Sequence, residues 1–398
     1  MKTTRIAALG VLASVLSLAA QAGPTTVFGG SLAGLQWTAQ STIVAVNSTA
    51  TAAGGGDTRY FARQPDHSGV VALIMNFGAG GSFICSGTLL SDRRSVLTAA
   101  HCVSGGAGTA SPLSTTAYFY GGSDGDLQVP WSSQSTAVGV SNHFVHSAYT
   151  GQVVDQNDIA VLRLDSDAPT FANGHELYTE SDLTGRQFNV AGYGGRSSGG
   201  GNVGEDLGTG RLRQGDNRYD FRLGDAAFGG FFDTWTGLGT ADKAYSYLSD
   251  FDNGQSAHDA SCLLGSAFGL ASAQFCDLGL GWSEASVGGG DSGGPEFIDG
   301  KVASVTSYGL SFGADFGDLR DGLQSSYGEF SGFVPVAIHT DFIRAHMVAL
   351  SHSGPPPQAD GGAVPEPGSV ALVVVGLLAA AATRRRISGQ TGSRVPRW

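Results

Sequence analysis

Short runs rich in β-branched and aromatic residues, each closed by glycine, serine or aspartate, recur along this chain. That punctuation constrains its fold more than any other feature. Val70-Val71-Ala72-Leu73-Ile74-Met75, Ser82 to Leu90, Asp158 to Leu164, Phe188 to Ala191 and Lys301 to Tyr308 all read as strands. Helical spacing is almost absent. Its best instance is His339 to Leu350, where Phe342, Ile343, His346, Met347 and Leu350 fall at three- and four-residue steps. The expectation is an all-β, mostly antiparallel protein closed by a C-terminal helix. Glycine supplies 62 of 398 residues, a level that can mark low complexity, but 41% hydrophobic residues are enough for a core.

Both ends read as addresses rather than as fold. Lys2 and Arg5 precede the apolar run Ile6 to Ala20, closed by Ala20-Gln21-Ala22, so residues 1–22 are expected to be a signal peptide removed after Ala22. The run is short for a first transmembrane helix. At the other end a breaker-rich linker, 353–363, leads to Val364-Pro365-Glu366-Pro367-Gly368-Ser369, the apolar Val370 to Ala382 and Arg384-Arg385-Arg386, followed by a tail, 387–398. As a helix the apolar part measures about 20 Å, short of a hydrocarbon core of about 30 Å, and the arginines would stay on the cytoplasmic side. A net charge of −12 argues against nucleic acid as a partner. Four cysteines fit two disulfides in an oxidising compartment, with free buried thiols as the alternative. Neither Cys-x-x-Cys nor His-Glu-x-x-His spacing occurs, which leaves no metal-binding motif of those types.

The stretch that carries chemistry is Gly289-Gly290-Asp291-Ser292-Gly293-Gly294-Pro295. Glycines on both sides let the backbone bend sharply and bring its amides close to a reacting carbonyl. A serine there needs only a positioned base to become a nucleophile. His101, in Leu97-Thr98-Ala99-Ala100-His101-Cys102, is the candidate base, and Asp158, in Gln156-Asn157-Asp158-Ile159-Ala160, is the candidate acid. Taken singly, each has a plainer explanation: a turn serine, a packed histidine, a turn acid. Gly290 to Gly294 also satisfies Gly-x-Ser-x-Gly, the nucleophile elbow of α/β-hydrolases, for which His339 or His346 would be the base. That elbow requires a helix after the serine, whereas Pro295 and the strand-like Lys301 to Tyr308 follow.

In the order His, Asp, Ser, these three contexts resemble the trypsin/chymotrypsin-type serine proteases. The likeness spans roughly Tyr60 to Ala349 and includes Val190-Ala191-Gly192-Tyr193-Gly194, Ser304-Val305-Thr306-Ser307-Tyr308-Gly309 and Phe333-Val334-Pro335-Val336-Ala337-Ile338. It implies two six-stranded antiparallel β-barrels with a catalytic groove between them, over a peptidase domain at 60–352. It implies that Ser292 attacks, His101 relays the proton, Asp158 orients the imidazole, and the N–H groups of Gly290 and Ser292 form the oxyanion hole. It pairs Cys85 with Cys102 and Cys262 with Cys276. Asp291 takes the place of the carboxylate that pairs with a new N-terminus after activation cleavage; family spacing puts that terminus near Tyr60, behind Arg59, leaving 23–59 as an extension or prosegment, while Val27-Phe28-Gly29-Gly30 is more similar to the family's terminal tetrapeptide and lies about thirty residues earlier. Ser286, Val287, Ser307, Tyr308 and Gly309 fall around the primary substrate pocket. Ser286 stands where an aspartate selects Lys or Arg, so a neutral pocket is expected. Residues 364–386 resemble the PEP-CTERM sorting signal of Gram-negative bacteria, with a plain membrane anchor as the alternative.

One departure from the resemblance is large: residues 196–261 read as a glycine-rich, aromatic and acidic insertion. Within it the oxygens of Asp250-Phe251-Asp252-Asn253-Gly254 resemble a calcium loop; lacking the downstream glutamate of an EF-hand, an Asx-rich turn is the expectation and a structural calcium near Asp250 and Asp252 the alternative. The function expected is that of a serine endopeptidase acting on polypeptides without a cofactor. It would be secreted or held in the envelope or extracellular matrix. Signal peptidase and an exosortase-like enzyme would be its export partners, and its C-terminal helix a transient inner-membrane anchor. The competing readings are a Ser-His-Asp esterase and a catalytically silent protease-like surface protein.

Overall fold

The computed structural model describes residues 21–22, 27–32, 35–40, 58–106, 111–122, 134–235, 238–320 and 322–348, those before 58 by backbone alone. The expected signal peptide except Gln21–Ala22, much of 23–59, the linker 353–363, the sorting tail 364–386 and residues 387–398 lie outside them. Among the described residues no helix is long and apolar enough to cross a membrane.

Three short strands precede the first barrel: β1 (Gln21–Ala22), β2 (Val27–Leu32) and β3 (Leu35–Gln40). The barrel itself is built from β4 (Val70–Asn76), β5 (Ser82–Leu89), β6 (Ser95–Thr98), β7 (Ser114–Tyr120), β8 (Ser135–Val145) and β9 (Ala160–Leu164). They run in the order β5-β4-β7-β8-β9-β6, and β6 pairs back onto β5, so the six strands close. Side chains alternate across a strand, and β4 uses both faces. Val71, Leu73 and Met75 enter the barrel core with Phe119, Val96 and Leu162, while Val70 and Ala72 pack outward against Ala191, Val305 and Val334 of the second sheet. Burial on both faces is why this strand reads as an unbroken apolar run.

The second sheet comprises β10 (Gln187–Gly192), β11 (Arg213–Arg218), β12 (Phe221–Arg222), β13 (Tyr247–Asp250), β14 (Pro295–Ile298), β15 (Lys301–Ser311) and β16 (Phe330–Pro335). Their order is β11-β10-β14-β15-β16-β13-β12, and β3, itself paired with β2, joins on β15 to make nine strands. The two expected barrels are thus present, the first closed with six strands and the second a half-barrel rather than a closed six: among the described residues its end strands β11 and β12 do not pair. At two residues, β12 offers too short a ladder to close it. The segment expected as an insertion, 196–261, supplies β11, β12 and β13 of this sheet.

Among the described residues α-helices are few: α1 (Phe231–Thr234), α2 (Ala260–Ala267) and α3 (Thr340–His346). The C-terminal helix stops short of the periodicity that suggested it. Met347 is already extended (φ −70°, ψ 152°), and the next amide, Val348 N, donates to Asp92 Oδ2 at 2.6 Å instead of continuing the ladder. Both disulfides, Cys85–Cys102 and Cys262–Cys276, are formed.

Candidate active site

Strands β6 and β9 are antiparallel neighbours with Thr98 opposite Ala160. The chain leaves β6 through an extended Ala99 into a single 3-10 turn, Ala100–Cys102, and enters β9 from a turn in which Asp158 N donates to Asp155 O. Adjacent strand ends therefore deliver His101 and Asp158 to one place, and the bond from Cys102 to Cys85 on β5 ties the histidine turn down. Asp158 is 1% exposed. Its Oδ1 accepts from His101 N at 2.8 Å, and its Oδ2 lies 2.7 Å from His101 Nδ1 and accepts from Ser307 Oγ at 2.6 Å. A carboxylate only accepts, so Nδ1 carries the proton and Nε2 presents its lone pair. That Nε2 is enclosed and has no hydrogen-bond partner among the described residues.

The nucleophile loop reaches this pair through its backbone. Ser292 O accepts from Ser86 N at 2.8 Å and sits 3.6 Å from Cys102 Sγ, the residue after the histidine. Gly293 N donates to Thr306 O and Thr306 N to Gly294 O, stitching the loop to β15. Gly293 has φ +78°, and a Cβ there would stand 2.0 Å from Thr98 Oγ1 and 2.6 Å from Ala99 N. Only glycine allows that approach of the serine loop to the histidine segment. Gly290 (φ +108°) lends its carbonyl to Ser86 Oγ at 2.8 Å, and its own N–H has no acceptor among the described residues. Ser86, which sequence reasoning missed, also accepts from Tyr193 N at 2.9 Å and so joins three segments. A lone serine in a strand carries no local mark of such a role.

Asp291, beside the serine, is 2% exposed and accepts from Gly194 N (2.7 Å) and Gly288 N (2.9 Å). Burial pushes its carboxyl up to about 7. A Cβ on Gly192 or Gly194 would lie 2.1 Å or 2.4 Å from its oxygens, so the Gly-Tyr-Gly strand is shaped around this acid. The expected new N-terminus is held elsewhere: Tyr60 packs with Tyr178, Phe188 and Tyr219, and its hydroxyl donates to Trp282 O at 2.7 Å.

The residues expected around the substrate pocket separate. Ser286 and Val287 are buried, with Ser286 Oγ 3.2 Å from Ser331 Oγ. Gly309 pairs through its backbone with Ser331. Ser307 instead holds Asp158, and Tyr308 points into the core of the half-barrel, its hydroxyl 2.6 Å from Ser246 Oγ; the ladder to β16 is irregular here, skipping Ser307 between Thr306 and Tyr308, and such a bulge re-aims side chains. A cavity of about 380 Å³ opens nearby between Gln156 and residues 239–244, lined also by Asp233. His339 and His346, the bases an esterase elbow would need, are committed elsewhere. His339 Nε2 donates to Gln156 O at 2.7 Å, and burial lowers the ring to about 4; His346 Nδ1 lies 2.8 Å from Phe342 O.

Residues 62–218 match the Trypsin family model. That stretch is similar to the trypsin family. It contains His101 and Asp158 and ends well before Ser292. The match supports a serine protease. Among solved structures, mouse neuropsin, a serine protease expressed in the limbic system of the brain, is similar at 17% identity with a TM-score of 0.46, covering 72% of this chain and 98% of that one. No curated protein matches the chain.

A second group of acids lies in the half-barrel. Asp250, Asp252 and Asp259 present carboxylate oxygens all within 4.8 Å of one another, and Glu284 Oε1 accepts from Asp252 N at 2.6 Å. Burial, with mutual repulsion, pushes Asp252 up to about 10, Glu284 to about 8 and Asp259 to about 6.

Proposed function

We propose that this protein is a serine endopeptidase in which His101, Asp158 and Ser292 act as one unit. The observation that carries the reading is the convergence on Asp158 of His101 N, His101 Nδ1 and Ser307 Oγ, beside a nucleophile loop packed on the histidine turn. Ser292 Oγ bonds to the scissile carbonyl carbon as its proton passes to His101 Nε2. The developing oxyanion is met by the N–H groups of Gly290 and Ser292, each donor worth roughly 2.7–4 kcal/mol. The C–N bond then breaks, His101 returns the proton to the leaving amine, and water releases the acyl group by the same relay. Asp158 keeps the imidazole in the tautomer with Nε2 free and stabilises its charged form.

Ser286 and Ser331 offer hydroxyls where a carboxylate would select Lys or Arg, so the reading includes a neutral pocket that takes apolar side chains. Export through a signal at 1–22 and sorting to the envelope through 364–386 complete it, with the prosegment, signal peptidase and an exosortase-like enzyme in the roles given above. A fluorophosphonate probe combined with a peptide-library cleavage profile tests the proposal. Labelling at Ser292 that His101→Ala abolishes, with cleavage after apolar residues, is expected. Absence of labelling removes the enzyme reading, and dominant cleavage after Lys or Arg removes the neutral pocket.

A further inference from the structure

We propose that the carboxylates of Asp250, Asp252, Asp259 and Glu284 form a calcium site that braces the segment leading into the nucleophile loop. They arrive from three separated stretches: the end of β13, the N-cap of α2 and the residues before Ser286. All are enclosed, at 5%, 4%, 2% and 1% exposure. Three of them are each engaged by backbone amides. Asp250 Oδ2 accepts from Ser261 N, Asp259 Oδ1 from Cys262 N, and Glu284 from Asp252 N and Leu280 N.

Asp252 differs. Its Oδ1 is buried with no hydrogen-bond partner, and Ser261 Oγ, beside Asp250, is likewise enclosed and unpartnered among the described residues. A buried carboxylate without a partner is costly, and its oxygens lie within reach of those of Asp250 and Asp259. The nearby guanidinium, Arg218, is engaged with Asp277, lies 3.7 Å from Asp220 and also acts on the four acids, so one positive charge is divided among six carboxyl groups. Oxygen-only donors of high charge suit a hard cation with flexible coordination, which favours calcium over magnesium. Glu284 stands two residues before Ser286, so a bound ion would link β13, α2 and the pocket segment.

The test uses the full chain, stripped with chelator and titrated with calcium chloride alone by calorimetry and by thermal melting. Saturable binding is expected, with Tm rising by about 5 °C at a hundredfold excess over Kd and a much smaller response to magnesium. Asp252→Asn should weaken binding at least about tenfold while the metal-free variant melts no lower than the metal-free parent, because a neutral amide of the same size replaces a buried carboxyl whose oxygen has no partner. Should that variant fail to fold, Asp259→Asn serves, since asparagine keeps the cap to Cys262 N. No binding up to about 10 mM calcium, above the range of weak extracellular calcium modules, overturns the site. So does parental affinity in the asparagine variant that folds.

A different observation carries a second inference. Strand β15 pairs with β16 along one edge. Its other edge is taken in turn by β14 at Lys301–Val305, by the nucleophile loop at Thr306, and by β3, where Gly309 meets Gln40, Leu310 meets Ala39 and Ser311 meets Thr38. Extended peptides bind proteins by adding a strand to an open sheet edge, and the part of this edge that runs on past the nucleophile loop is the part β3 covers. We infer that the N-terminal hairpin β2–β3 is an internal plug that holds the edge a peptide substrate would need. This rests on the endopeptidase reading.

Thr38→Pro with Gln40→Pro removes two amide donors from β3. A small fluorophosphonate should label Ser292 equally in parent and variant, whereas kcat/KM for an extended peptide should rise at least about tenfold in the variant, the size of one or two strand hydrogen bonds. Equal labelling with equal peptide cleavage overturns the plug. Failure of both proteins to label overturns the endopeptidase reading instead.

Discussion

Replacing Asp158 with Asn keeps the volume of the side chain and inverts its hydrogen-bond chemistry. The carboxylate now takes three donors: His101 N at 2.8 Å, His101 Nδ1 at 2.7 Å and Ser307 Oγ at 2.6 Å. An amide retains one acceptor oxygen, which His101 N would keep, and turns an NH₂ toward Nδ1 and Ser307. Two hydrogen bonds to a charged acceptor are lost, at about 1.5–3 kcal/mol each. The Nδ2–H also donates to Nδ1, moving the ring proton to Nε2 and leaving no base toward Ser292. Roughly 3–6 kcal/mol corresponds to two to four decades in rate, and a tautomer inversion of this kind has cost about 10⁴ in kcat where a triad carries the chemistry. The expected result is a fall in kcat/KM of about 10³–10⁴, carried by kcat with KM little changed, on a fluorogenic peptide that the parent cleaves. A loss smaller than about tenfold in a folded variant would refute the arrangement.

Other consequences are open to measurement. Gly293→Ala places a Cβ 2.0 Å from Thr98 Oγ1 at φ +78°, so a stability loss of at least about 2 kcal/mol in denaturant melts is expected together with loss of labelling; parental behaviour would disprove the close packing of the two loops. Joint replacement of Cys85 and Cys102 by Ala opens a loop with a sequence separation of 17 and should cost about 3 kcal/mol by chain entropy, read as a shift in denaturation midpoint. Burial raises Asp291 and Glu329 to about 7 and Glu296 to about 8. Between the ordinary carboxylate range and those values the native state holds protons that the unfolded chain has released. These groups therefore favour folding at low pH, and their contribution declines as pH rises toward 7–8, at about 1.4 kcal/mol per pH unit for each excess proton. Melts in chelator should show Tm falling from pH 5 to pH 8, and a flat or rising profile would contradict the buried placement of these acids.

What sequence alone determined here is local. In the first barrel β4, β5 and β9 were legible, β4 because its side chains bury on both faces and leave the unbroken apolar run Val70 to Met75. The glycines around Ser292 announced a backbone that must turn and approach closely, and Gly293 does both. The contexts of His101 and Asp158 were legible through the family they resemble, since each taken singly reads as a packed histidine or a turn acid. Tertiary structure decided the rest. Ser307 and Tyr308 look alike as neighbours in a strand, and only the irregularity of β15 at Ser307 shows why one reaches Asp158 and the other the core. Strand count in the second sheet depended on how far β12 could pair, and the end of α3 on a carboxylate at Asp92 far along the chain. Asp252 and Glu284 carry no shared motif, and they meet because β13 and the loop before Ser286 converge. Propensity and spacing act over a few residues, whereas contacts such as these arise from segments that chain sequence separates and only packing reunites.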